Sequence, residues 1–215
     1  MLPYFPYSRQ DRRKHRGEPI GVRVVADLLG AMRLNRAVTF DLHSAAAEAS
    51  LPFPVEELCA VPQLARALRE RPTRDAVVVG PDLGASRLAH RYAQELGLPM
   101  ALVHKTRISG AEVVAERVIG DVRGLRPILV DDIIASGSTM VAAARALLEA
   151  GCQPELTVVS THAVLAGAAV EQLARLPIER LVVSNTLPVR GTFPFDVEPV
   201  DVAPTIASAI ARPCT

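Results

Sequence analysis

The chain has 215 residues, 49% of them apolar and 4% aromatic, with no Trp and a formal net charge of +1. That balance supplies a sizeable core and argues against general binding to nucleic acid or an anionic membrane surface. No apolar run reaches membrane-spanning length, no secretory signal core opens the chain, and Cys59, Cys152 and Cys214 read as reduced cytoplasmic thiols in no metal-binding spacing.

The opening Met1–Tyr7 is apolar and broken by Pro, unlike a solvated tail. Ser8-Arg9-Gln10-Asp11-Arg12-Arg13-Lys14-His15-Arg16-Gly17 then packs cations into a loop. Such a loop can close on a polyanion, because each guanidinium offers forked donors to phosphate oxygens; it can equally be a solvated basic patch. Ile20, Val24, Val25, Leu28, Leu29 and Met32 predict a helix over 20–34. Arg36–Asp41 reads as a strand with Leu42-His43-Ser44 at its carboxyl end, where His43 is either structural or a ligand or proton carrier. Pro52 and Pro54 mark a linker, and 61–70 is a helix with Pro62 in its first turn.

Ala76–Gly80 is a buried strand. Pro81-Asp82-Leu83-Gly84-Ala85 turns into a helix ending near Leu96, so Asp82 is either part of an anion or metal site or a helix cap. A strand over 99–104 delivers Lys105-Thr106-Arg107, whose two cations share one side of an extended chain. A hairpin over 108–121 follows. It is either a flap over a reaction centre or an ordinary exposed hairpin.

The stretch Ile128–Met140 is the centre of the chain. An apolar run reads as a buried parallel strand and ends in Asp131 and Asp132. A turn of small and hydroxylated residues follows, and a helix opens at Val141. Free N–H groups at a helix start suit a phosphate. Gly137 allows close approach of the main chain, and Ser136, Ser138 and Thr139 add hydroxyl donors. Asp131 and Asp132 would repel a phosphate, so they suit sugar hydroxyls or a hydrated magnesium ion; a plain strand, turn and helix cap is the alternative. Beyond this stretch come a helix to Glu149, a strand over 155–161, a helix over 166–176, a strand over 180–184, an irregular piece over 199–202 and a helix over 203–211. Alternating strands and helices give an α/β fold with a mainly parallel sheet.

Several pieces, in this order, resemble the ribose-phosphate pyrophosphokinase (phosphoribosyl pyrophosphate synthetase) family. They are Pro3–Arg12, Asp41-Leu42-His43, Val79-Gly80-Pro81-Asp82, Lys105-Thr106-Arg107, Asp131-Asp132-Ile133-Ile134, Ser160-Thr161-His162 and Ser184-Asn185-Thr186-Leu187-Pro188. The Lys-Thr-Arg spelling and short linkers are closer to the archaeal branch. The resemblance implies a phosphoribosyltransferase-type parallel sheet flanked by helices, over 60–202. It also implies the remnant of a second similar domain, made of 1–59 and the helix over 203–215. The beginning of the family's first domain has no counterpart, which points to a misplaced start or a shortened paralogue.

By the same resemblance, the reaction moves the diphosphate of ATP to the C1 hydroxyl of ribose 5-phosphate, leaves AMP and requires magnesium. Arg9, Gln10, Asp11, Arg13, Lys14 and His43 would lie at ATP. His43 and Asp82 would ligand magnesium, and Lys105 and Arg107 would neutralise the transferring group. Asp131 and Asp132 would hold the ribose hydroxyls, and Ser136, Gly137, Ser138 and Thr139 the 5-phosphate. A homo-oligomer is implied. The chain departs from the family pattern at Ala135, where many members carry an acid, at Ser136 and Ser138, and at Leu83. A non-catalytic, synthetase-associated binding subunit and a phosphoribosyltransferase are the alternative functions.

Overall fold

One seven-stranded sheet dominates the larger part of the protein, and its inner strands, such as Ala76–Gly80 and Leu156–Ala163, are buried along their whole length, as a sheet covered by helices on both sides requires. The computed structural model describes residues 1–13, 15–71, 74–108 and 113–212, with the backbone alone for 105–108 and 113–116. Two compact units result, Met1–Ala60 with Val202–Thr215, and Val61–Asp201.

The first unit contains α1 (Gly21–Gly30), β1 (Ala37–Phe40), α2 (Ala45–Ala49) and β2 (Val55–Leu58). β1 and β2 pair in parallel, from Ala37 with Val55 to Phe40 with Leu58. The opening segment lies along β1: the Leu2 N–H donates to the Val38 carbonyl at 3.0 Å and the Phe40 N–H to the Pro3 carbonyl at 3.1 Å. Phe5, Val22, Ala37, Ala47 and Phe53 form the core of this unit.

The second unit contains α3 (Val61–Glu70), β3 (Ala76–Gly80), α4 (Ser86–Leu96), β4 (Met100–Ile108), β5 (Val113–Ile119), β6 (Arg126–Ile134), α5 (Ser138–Glu149), β7 (Leu156–Ala163), α6 (Ala169–Leu173), β8 (Ile178–Ser184) and β9 (Asp196–Val200); α7 (Ala203–Ala211) belongs to the first unit. The sheet order is β5-β4-β3-β6-β7-β8-β9. All neighbours are parallel except β4 and β5, which form the expected antiparallel hairpin. Val79, Leu129, Leu147, Leu156, Val158 and Leu181 lie in its buried core.

Several boundaries differ from expectation. α1 ends at Gly30 rather than Leu34. It buries Val22 and Ala26, with Val25 and Leu29 partly covered, which is the i, i+3, i+4, i+7 stripe. Val24, Leu28 and Met32 form a second stripe that faces outward at 48%, 67% and 69% exposure. α2 and β2, which were not expected, flank the linker around Pro52 and Pro54, and Ser44 caps α2 by accepting from the Ala47 N–H at 3.1 Å. β6 does not stop at its carboxylates but continues through buried Ile133 and Ile134. α5 begins at Ser138 instead of Val141, and α6 shortens to five residues. Pro199, expected in an irregular piece, sits in β9, which pairs only with β8 and so is an edge strand, where Pro is tolerated.

Leu129→Ala, in the middle of this sheet, should cost about 2–5 kcal/mol. Leu28→Ser, on the outer stripe of α1, should stay within about 0.5 kcal/mol. Denaturant unfolding of the two variants measures both.

Candidate functional site

The winding of the large sheet reverses between β3 and β6. From β3 the chain steps outward to β4, whereas β6 lies on the other side of β3 and leads on to β7, β8 and β9. Ligands of open parallel sheets bind at the carboxyl ends of the strands flanking such a reversal. Val79 pairs with Leu129, so the residues following each, Pro81-Asp82 and Asp131-Asp132, emerge at the same edge.

Asp131 and Asp132 each keep part of their surface open, while protein atoms crowd the Asp131 carboxylate. Burial is the largest cause holding the Asp131 carboxyl well above the usual carboxylate range. The charge of Asp132, a hydrogen bond with its side chain and the charge of Asp82 push the same way. The Asp132 N–H donates to Asp131 Oδ1 at 3.0 Å and opposes them weakly. Asp82 is thus an electrostatic neighbour of Asp131. Its Oδ1 also accepts from the Ala85 N–H at 3.1 Å, which closes the turn before α4; the N-cap of that helix is Ala85, with no side-chain cap, so Asp82 is not the helix cap that was the alternative. Burial and two like charges all act against ionisation, and a hard cation with oxygen ligands reverses that sign. Among the described residues no three or more His, Cys, Asp or Glu side chains converge to cage an ion. The carboxylates therefore fit a hydrated magnesium ion that completes its shell with water and ligand oxygens.

Past Ile134 the chain turns through Ala135, Ser136 and Gly137 into α5. Gly137 has φ 80° and ψ −8° at the N-cap. A side chain there would be strained, and its Cβ would lie 3.4 Å from the Ala169 carbonyl oxygen. Ser136 Oγ and Ser138 Oγ are 3.0 Å apart. Because α5 starts at Ser138, Ser138 and Thr139 occupy its first turn, where backbone N–H groups have no partner inside the helix and the dipole favours an anion. The segment after β7 braces this turn: the Leu165 N–H donates to the Ile134 carbonyl at 3.0 Å and the Ala166 N–H to the Ala135 carbonyl at 2.9 Å.

Lys105 and Arg107 lie inside β4, two residues apart on one strand, and their backbones pair with Glu116 and Val114 of β5. Their side chains, like the whole of Lys14, fall outside the described residues.

In the first unit, Arg9, Gln10 and Arg13 are exposed. The loop that carries them is tied to α1, because the Val22 N–H donates to the Gln10 carbonyl at 3.3 Å. Gln10 covers Gly21 so closely that a Cβ at Gly21 would strike its side chain. Asp11 accepts a 2.7 Å hydrogen bond from Ser44 Oγ, which brings the basic loop to the residue beside exposed His43. The turn carrying His43 is itself held: Asp41 has φ 32°, its N–H donates to the Leu58 carbonyl, and its Oδ2 accepts from the Ala60 N–H at 3.0 Å. Ser44 and Asp41 are supports that the sequence did not announce as such. A Ser before an Ala-rich run was the available signal for Ser44.

The chain matches the phosphoribosyl transferase domain family over residues 56–179 and the N-terminal domain of ribose phosphate pyrophosphokinase over residues 1–32. It is 38% identical over 214 residues to a ribose-phosphate pyrophosphokinase of Caldanaerobacter subterraneus, covering 99% of this chain and 67% of that protein. It is 41% identical to one of Bifidobacterium longum, covering 98% of this chain and 64% of that protein. The crystal structure of phosphoribosylpyrophosphate synthetase from Mycobacterium smegmatis superposes with a TM-score of 0.86 at 37% identity, over 97% of this chain and 68% of that one. The chain thus spans about two thirds of the length of these relatives.

Asp131 carries a prediction about stability. Its folded pKa is raised, so its contribution is fully present below the ordinary carboxylate range and is lost as pH rises through the folded value. Without metal, Asp131→Asn should therefore melt higher than wild type at neutral pH, and the gap should close on acidification. Melting curves across pH with chelator present measure this; an unchanged or lower melting point at neutral pH contradicts it.

Proposed function

Since the chain belongs to the ribose-phosphate pyrophosphokinase family, we propose that it transfers the diphosphate of ATP to the C1 hydroxyl of ribose 5-phosphate. The bond from the C1 oxygen to the β-phosphorus forms, the bond between that phosphorus and the AMP oxygen breaks, and AMP leaves. The observation that carries this reading is the carboxylate edge of Asp82, Asp131 and Asp132 beside a glycine turn, at the reversal of a parallel sheet.

Each part of that edge has a chemical task. The Ser138 and Thr139 N–H groups and the Ser136, Ser138 and Thr139 hydroxyls hold the 5-phosphate, helped by the positive end of α5. Asp131 and Asp132 accept from the ribose hydroxyls and fix the direction of C1. Asp82 and Asp131 would hold a hydrated magnesium ion. When bound, magnesium neutralises charge on the diphosphate and on the crowded carboxylates. In the first unit Arg9, Gln10 and Arg13, with Asp11 and Lys14 nearby, offer donors and charge to the nucleotide, and His43 offers a ring nitrogen to the hydrated triphosphate. Lys105 and Arg107 supply positive charge to the transferring group, the main demand of phosphoryl chemistry on a protein. Their strand leads into a hairpin suited to closing over substrate and excluding water.

The enzyme acts as a cytoplasmic homo-oligomer in this reading. Cys59 and Cys152 form no disulfide, which supports a reducing compartment, and among the described residues no helix is long and apolar enough to cross a membrane.

Purified protein given magnesium, ATP and ribose 5-phosphate should release AMP and phosphoribosyl pyrophosphate in equal amounts. Lys105→Ala should lower the rate by about a thousandfold or more with the melting point almost unchanged. A well-folded wild type that releases no AMP rejects the activity, and a Lys105→Ala variant that keeps most of its rate removes Lys105 from the transfer step.

A further inference from the structure

The recorded pairing of β6 with β7 runs from Ile128–Thr157 to Asp131–Ser160 and then passes to Ile133–His162. That constant register places Asp132 opposite Thr161. Both carbonyls of that pair are taken up by side-chain hydroxyls. Ser160 Oγ donates to the Asp132 carbonyl at 3.1 Å. The Thr161 carbonyl accepts from Ser184 Oγ at 2.5 Å and from Thr186 Oγ1 at 3.0 Å. Hydroxyl donors of this kind fix the carbonyls they reach.

Thr186 is the hub of this arrangement. Its hydroxyl also lies 2.9 Å from His162 Nδ1 and 2.9 Å from Ser184 Oγ. Ser184, Thr161 and His162 are buried, at 0%, 1% and 1% exposure, whereas Thr186 sits in the half-buried turn after β8. One hydroxyl outside the strands thus fastens the last turns of β7, just before the segment whose Leu165 and Ala166 N–H groups brace Ile134 and Ala135. Leu165 is held at φ 45° there, a conformation that a branched side chain adopts only under constraint. Further along the same segment, the Ala169 carbonyl is what a side chain at position 137 would meet.

We propose that Thr186 is a positioning residue for the phosphate turn, acting through His162, Thr161 and the Leu165–Ala166 brace to fix Ala135–Gly137. It touches neither substrate nor reacting atoms. The inference rests on the sugar-phosphate reading of that turn. It adds that the geometry of the turn is set from the far side of β7, by a hydroxyl that the phosphate never meets. Supporting groups around a ligand shell commonly change affinity by about 10- to 100-fold when removed, and the hydroxyl here can be deleted almost without change of shape.

The test is calorimetric binding of ribose 5-phosphate, with magnesium, to wild type, Thr186→Val and Thr186→Ser, together with melting curves. Val keeps the volume and loses the hydroxyl; Ser keeps the hydroxyl. The expected result is a Kd about tenfold higher for Thr186→Val and close to wild type for Thr186→Ser. Leu148→Ala, on the opposite end of α5, serves as a control of lowered melting point, and its Kd should not move. Equal Kd values for wild type and Thr186→Val overturn the inference while leaving the sugar-phosphate reading intact. So does a Thr186→Ser variant as weak as Thr186→Val. A folded wild type that binds no ribose 5-phosphate overturns the reading of the turn, and the inference with it. If Thr186→Val does not fold, Thr186→Cys and Thr186→Ser carry the same comparison, and equal affinity of those two overturns the inference.

Discussion

The structure of the larger unit turns on the Asp131 carboxylate, crowded by protein and facing the charges of Asp132 and Asp82. A group in that position is costly in the absence of a cation, and nothing in packing alone calls for it. The cost becomes intelligible as preparation for a ligand that brings positive charge and hydroxyl donors together. The rest of the unit can be understood as the means of holding that carboxylate in place. The reversal of winding between β3 and β6 brings Asp82 to the same edge, β6 holds Asp131 and Asp132 within its paired length, and Ser160 and Thr186 supply hydroxyls to the Asp132 and Thr161 carbonyls.

Charge is distributed between two kinds of structure. The negative side chains sit on rigid strand ends, where a displacement of half an ångström would matter. The positive residues of the sequence motifs lie on a loop, at Arg9 and Arg13, and along β4, at Lys105 and Arg107. That division suits a reaction in which a sugar is held fixed and a polyanion must be gathered, neutralised and released. Gln10 against Gly21, and Asp11 against Ser44, show how the loop in the first unit is anchored at its base while Arg9 and Arg13 remain exposed.

Much of this was readable from residues. β3 and α3 fall on their expected bounds because their buried runs and helical spacing are uninterrupted, and α7 does so because Pro204 fixes its first turn. The role of Gly137 was legible from composition, since only a residue without a side chain suits that turn. The misses share a cause. α2, β2 and β9 are four or five residues long, too short for periodicity to speak; β2 follows Pro54 and β9 contains Pro199. α1 was legible from its spacing, but its apolar residues lie on an inner stripe, with Val22 and Ala26 buried, and on an outer one, with Leu28 and Met32 exposed, and spacing alone does not choose between them. Ser184 and Thr186 stood out as part of a resemblance, but their task depends on the Thr161 carbonyl, which no local pattern reveals.

The central claim is that a sugar phosphate rests with its hydroxyls on Asp131 and Asp132 and its phosphate on the turn leading into α5. Diffraction from crystals of the full chain grown with ribose 5-phosphate and magnesium tests it most directly. Phosphate density against the backbone of Ser136–Thr139, with the ribose ring over the two carboxylates, is the predicted result. Phosphate density bound at any other edge of the sheet, with the turn left to solvent, would contradict it.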